Sequence, residues 1–172
     1  MGILRNRHDD GGEARRYRMQ QRLISVGDDY WNEDEQGERQ FLVDGKALRL
    51  RDTWELKDRD RNDVARIRER KLSVRDAMTI EIGDRKAVVK KAVVGIRDRF
   101  HIEVDGGPDL KAHGNVVDHE YEIEGDDGTI ANVSKRWFRI RDTYGVEVAP
   151  GADPVLALAI TVAIDALAGD HG

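Results

Sequence analysis

The chain has 172 residues, with 29 Lys+Arg against 34 Asp+Glu, a net charge of −5, and no cysteine. The absence of cysteine excludes disulfide scaffolds, thiol nucleophiles, Cys-ligated zinc and iron–sulfur clusters. Charged residues make up 37% and apolar residues 39%; that much charge belongs on a wet surface, and the apolar share suffices for one domain with a proper core.

Residues 1–25 carry Arg5, Arg7, Arg15, Arg16, Arg18 and Arg22 against Asp9, Asp10 and Glu13. They contain no apolar h-region, so no secretory signal is expected. Residues 1–16 read as a flexible basic leader. Weak attraction to an anionic surface is the functional alternative.

From Tyr17 to Val148 the texture is uniform. Short runs of alternating character fall at 18–26, 39–43, 53–56, 64–70, 78–82, 86–94, 100–104, 120–124, 129–137 and 144–148. Turn signals punctuate them at Gln36-Gly37, Asp44-Gly45, Gly83-Asp84, Gly106-Gly107 and Asp127-Gly128. A period of two between frequent turn residues predicts antiparallel strands, about a dozen at roughly 8–12 residues per strand and turn. One pattern recurs: apolar, Arg, Asp, any residue, large apolar, any residue, apolar. It begins at Leu50, Val74, Ile96 and Ile140, which points to a fold that reuses one hairpin unit. Asp52, Asp76, Asp98 and Asp142 fall on the inward parity. A bend at Arg-Asp, where the carboxylate accepts turn N–H groups, accommodates them better than a catalytic or metal cluster does.

One helix closes the sequence. Asp153 is a capping residue, Pro154 suits the first helical position, and Gly169 is a stop signal. Residues 154–168 would span about 22 Å at ~1.5 Å per residue, short of the roughly 20 apolar residues of a membrane span. Val155, Leu156, Leu158, Ile160, Val162, Ile164 and Leu167 surround the axis with alanines between them. A helix apolar on every side is buried on every side, and here only sheet is available to bury it. The expected fold is therefore mainly β: about twelve antiparallel strands in a closed barrel wrapped around a buried C-terminal helix. The domain is 17–168, followed by a short tail at 169–172. Asp165, late in the helix, is read as a depth-setting contact to the strands.

These segments resemble the LURP-one-related family, which shares its barrel with tubby C-terminal domains and phospholipid scramblases. The carrying residues are Tyr17-Arg18-Met19, the 45–52 segment Gly-Lys-Ala-Leu-Arg-Leu-Arg-Asp, the 137–146 segment from Trp137 to Val146, and the terminal helix with Asp165. The resemblance implies a twelve-stranded barrel around a central helix and says little about activity. Tubby domains bind phosphoinositides; scramblases act at membranes and bind calcium. The scramblase-like calcium segment would fall at 142–146, where only Asp142 is acidic before the glycine, too few carboxylates for six to eight oxygen ligands. Neither calcium binding nor scrambling is carried over.

Arg66, Arg68 and Arg70 alternate on one strand face, with Lys71 next and Lys90 and Lys91 placed to join them. Such a stripe grips phosphates bidentately; the alternative is a solvated face whose cations pair with carboxylates. Nucleic-acid binding is not expected, since no basic field with interleaved aromatics is present. His113, Asp118 and His119 are weighed as a metal set and read instead as polar loop residues, and His8, His101 and His171 are isolated. Trp31, Trp54 and Trp137 read as core or rim anchors. No catalytic motif and no cofactor site emerge. The expectation is a non-enzymatic, cytoplasmic binding or scaffold module, peripheral to a membrane if it recognises anionic phospholipid headgroups, or else bound to a protein partner. A small-ligand protein or an enzyme with a pocket at the barrel mouth is the alternative.

Overall fold

The computed structural model describes residues 13–20, 29–48, 51–71, 76–92, 98–138 and 143–169. Twelve strands precede one helix: β1 Arg15–Gln20, β2 Asp29–Glu33, β3 Arg39–Leu48, β4 Arg51–Lys57, β5 Asp63–Lys71, β6 Asp76–Ile82, β7 Arg85–Lys91, β8 Asp98–Val104, β9 Leu110–Asn115, β10 Glu120–Gly125, β11 Gly128–Ser134, β12 Thr143–Val148 and α1 Pro154–Gly169. Each strand pairs with its sequence neighbours, and β1 pairs antiparallel with β12, closing the barrel. Closure gives every strand a neighbour on both sides, with β1 and β2 meeting at Arg18 and Glu33. β1 opens at Arg15, so Arg15 and Arg16 lie in the wall opposite Val148 and Glu147.

Inward parity follows the alternation. Ala65 and Ile67, Ala87 and Val89, Phe100 and Ile102, Tyr121 and Ile123, and Tyr144 and Val146 are all buried. They enclose α1, in which every residue from Ala157 to Asp165 is buried. Full burial of a side chain such as Leu158 or Ile160 contributes about 1.5–3 kcal/mol, so the helix is the filling of the barrel. Asp153 caps it, its Oδ1 accepting the Val155 N–H at 2.9 Å.

Three expectations are corrected in detail. Asp44-Gly45 is not a turn; it lies inside β3, with Gly45 opposite Trp54. β2 and β9 were not among the expected runs. In β2 the buried residues are Tyr30 and polar Asn32, with Trp31 between them, and in β9 small Ala112 and Gly114 follow buried Leu110, so neither sequence shows strong alternation. The run 129–137 ends at Ser134. The Arg-Asp repeats mark strand beginnings: Arg51 opens β4, Asp76 opens β6, Asp98 opens β8, and β12 starts just after Asp142. These even-numbered strands run in one direction, so all four repeats lie at one barrel end. The side chains of Asp52, Asp76, Asp98 and Asp142 are outside the described residues, as are Arg5, Arg7, Arg22 and the histidines at the two termini.

Candidate functional site

The expected basic stripe is present on the outer wall, and most of it is paired. Arg66 lies 3.5 Å from Glu55, Arg68 lies 3.5 Å from Glu81, and Lys90 reaches Glu103 at 2.9 Å. Glu55 is buried, its carboxylate covered by Arg66 and by Lys57 at 3.2 Å. Arg66 therefore neutralises a buried acid. Arg70 is exposed and shares its row with Ala77 and Lys90, so Lys90 joins the stripe. Lys91 has the opposite parity, opposite buried Phe100. The side chain of Lys71 lies outside the described residues.

A second basic constellation lies at the barrel end where the even strands finish. The β2–β3 and β4–β5 turns border an open groove of about 600 Å³ lined by Trp31, Gly37, Glu38, Arg39, Arg59 and Arg61. The Arg39 guanidinium stands over the Trp31 ring at 5.2 Å and that of Arg61 at 6.0 Å. No carboxylate among the described residues pairs with either. Arg59 donates to the Arg39 carbonyl at 2.9 Å and lies 3.5 Å from exposed Glu38.

The β4–β5 turn is built by Asp58. Its Oδ1 accepts the backbone N–H groups of Asp60 and Asn62, each at 2.9 Å. These bonds and the Asn62 amide hold its carboxyl below the usual range. Arg61 takes a φ of 65°, a left-handed conformation uncommon for residues other than glycine, asparagine and aspartate. The turn thus commits strain to presenting an arginine, a feature that concentrates at functional loops. The sequence signal was the 58–62 run Asp-Arg-Asp-Arg-Asn, readable as an Asx turn, but nothing in it announced the distant Trp31.

The opposite barrel end is sealed by a buried polar contact set. The Tyr144 hydroxyl donates to Asp165 Oδ2. The His119 ring stacks on Tyr144 at 4.2 Å, with its Nδ1 3.5 Å from Asp165 Oδ1. Burial pushes Asp165 up to about 7, partly offset by the Tyr144 hydrogen bond. Burial, helped by the Lys135 charge, pulls His119 down to about 4. His119 is therefore neutral at pH 7, and the 3.5 Å approach is not an ion pair. Burial, with the nearby Asp165 charge, keeps Tyr30, Tyr121 and Tyr144 protonated. Asp165 anchors the helix end to β12. Nor are His113 and His119 partners: His113 is on the outer face of β9, and His119 faces the interior.

At the helix entrance a cleft of about 300 Å³ is lined by Glu13, Arg15, Val148, Ala149, Pro150, Gly151, Ala152 and Pro154. Two charged residues among mostly backbone and apolar groups do not form a convergent catalytic set.

The LURP-one-related family matches residues 15–165. The chain belongs to this family. One relative is an uncharacterised protein, YxjI, of Bacillus subtilis (strain 168), 24% identical over 148 residues, covering 86% of this chain and 90% of that protein. An X-ray structure of a protein from Arabidopsis thaliana matches with a TM-score of 0.60 at 14% identity, over 93% of this chain and 96% of the other. That likeness supports the fold alone. No helix among the described residues is long and apolar enough to cross a membrane.

Proposed function

We propose that this LURP-one-related barrel is a non-enzymatic binding module that recognises phosphorylated anionic headgroups, with its primary grip at Trp31, Arg39, Arg59 and Arg61. The observation that carries this reading is the pair of guanidiniums, Arg39 and Arg61, standing over one indole at 5.2 and 6.0 Å without a carboxylate partner among the described residues. Arginine forks suit phosphate oxygens, and a half-buried tryptophan beside them suits the apolar part of a headgroup region. β5 leads from this turn into Arg66, Arg68 and Arg70. In this reading that stripe, joined by Lys90, is a secondary attraction, and Lys91, on the other parity, is no part of it. Its partly exposed pairs, Arg68–Glu81 and Lys90–Glu103, are worth only about 0–1 kcal/mol and exchange readily for lipid phosphates, whereas Arg66 stays on buried Glu55.

The test is flotation with three kinds of vesicle: phosphatidylcholine alone, the same with phosphatidylserine, and the same with a phosphorylated inositol lipid. Parallel arms add free inositol phosphate or inorganic phosphate as competitors. Salt-sensitive flotation on acidic vesicles, lost in Arg39→Ala/Arg61→Ala and only weakened in Arg66→Ala/Arg68→Ala/Arg70→Ala, supports the groove as the site. Flotation lost only in the stripe variant moves the site to β5. Failure to float in every arm overturns the lipid reading. Direct calorimetric binding of free inositol phosphate, lost in Arg39→Ala/Arg61→Ala and seen without flotation, assigns the groove to a soluble anion.

A further inference from the structure

The β9–β10 hairpin carries a different chemistry on its outer face. Glu122 lies directly opposite His113 in the ladder, and Glu124 follows two residues later on the same face. A register shift between Ile123 and Glu124 in the pairing with β11 disturbs the regular ladder at that point, the kind of irregularity that re-aims a side chain. Across the regular β9–β10 ladder two carboxylates converge on one imidazole nitrogen. His113 Nε2 is 2.7 Å from Glu124 Oε1 and 3.2 Å from Glu122 Oε1. The three ligand atoms lie within 4.8 Å of one another. No lysine or arginine among the described residues pairs with either glutamate.

We propose that His113, Glu122 and Glu124 form a binding site for a divalent metal ion of the zinc class. Tetrahedral zinc with bonds of about 2.0–2.2 Å sets its ligand atoms roughly 3.3–3.6 Å apart. The His113–Glu122 separation is already near that value, and the His113–Glu124 contact needs to open by less than 1 Å. One imidazole nitrogen with two carboxylates favours zinc, cobalt or manganese over calcium, which takes six to eight oxygens. The Thr129 hydroxyl donates to the other oxygen of Glu122 at 3.4 Å, an outer-shell support of the kind that orients metal-bound carboxylates. An open groove of about 380 Å³ on the His113 and Glu122 side, also lined by Asn132, Arg136 and Trp137, leaves room for water or an anionic substrate group at a fourth position. Glu120 is not a ligand, because its Oε1 is held by Ser134 and the Lys135 N–H.

The experiment is titration of the untagged full chain with Zn²⁺ by calorimetry, and with Co²⁺ by visible absorption. The expected result is one ion per chain, unaffected by excess Ca²⁺. His113→Ala, Glu122→Gln and Glu124→Gln should each weaken binding by at least the ~10–100-fold that loss of an outer-shell partner costs. His101→Ala should leave it unchanged. All four positions are partly exposed, and circular dichroism checks the fold of each variant. No binding at millimolar Zn²⁺, or stoichiometric binding that survives all three triad substitutions, would overturn the proposal.

Discussion

The Tyr144 hydroxyl of β12 donates its hydrogen bond to the Asp165 carboxylate of α1, so the last wall strand and the core helix are joined by one polar contact inside the barrel. Asp165 has a folded-state pKa of about 7, above its ordinary 3.8. The folded protein therefore holds this proton more tightly than the unfolded chain does. The resulting contribution to stability is complete below about pH 4, declines as pH rises, and is gone above pH 7, with a span of the order of 4 kcal/mol. Asp165→Asn keeps an acceptor and removes the titration. Urea unfolding from pH 4 to 8 should show wild type losing stability relative to Asp165→Asn as pH rises, with the variant at least as stable at pH 8. A difference independent of pH would contradict this assignment.

Tyr144→Phe removes the donor while leaving the ring that stacks on His119. A buried carboxyl without a hydrogen-bond donor costs about 1–3 kcal/mol. The Tyr144 bond lowers the Asp165 pKa, so its loss should also move the pH-dependent window upward. Denaturant midpoints of the variant at several pH values measure both effects.

Gly114 is in the left-handed region at φ 137°, and a Cβ there would meet the Glu120 carbonyl oxygen at 2.6 Å and the Tyr121 Cα at 2.7 Å. Both are backbone or backbone-attached atoms that cannot swing away. Gly114→Ala should therefore cost more than about 2 kcal/mol, measured as a lowered thermal midpoint, whereas Gly107→Ala, with only the Val104 side chain at 3.7 Å, should cost little.

The arginines of the stripe should separate in stability measurements. Arg66→Ala strips one of the two cations covering buried Glu55 and should cost about 1–3 kcal/mol. Arg70→Ala, exposed on the same strand, should stay within about 0.5 kcal/mol of wild type. Equal losses would remove the distinction between a structural and a solvated cation.

The barrel was legible because its signals are local. Alternation at 64–70 and 100–104, glycine turns at Gly83 and Gly106, and a helix apolar on every side each point to the same architecture. β2 was hidden because aromatic Trp31 sits between inward Tyr30 and a polar inward Asn32, and β9 because, after Leu110, its inward residues Ala112 and Gly114 lack the bulk that marks a core strand. The stripe of Arg66, Arg68 and Arg70 was visible from parity, but its pairing with Glu55 and Glu81 depends on register between strands. The same applies to Trp31 with Arg61, thirty positions apart in the chain, and to His113 with Glu122 and Glu124. Spacing along a sequence does not encode which hairpins stand side by side.

α1 follows every strand in the chain order and yet fills the space they enclose. During synthesis, the wall is complete before any of its interior filling has left the ribosome. Inward faces such as Ile67, Val89 and Ile102 must wait, exposed to water, for residues near position 160, a dependence on distant contacts that slows folding and prolongs the period of vulnerability to aggregation. A chain stopped at residue 153 would be a hollow sheet, and supplying residues 154–172 as a separate peptide should be able to restore it.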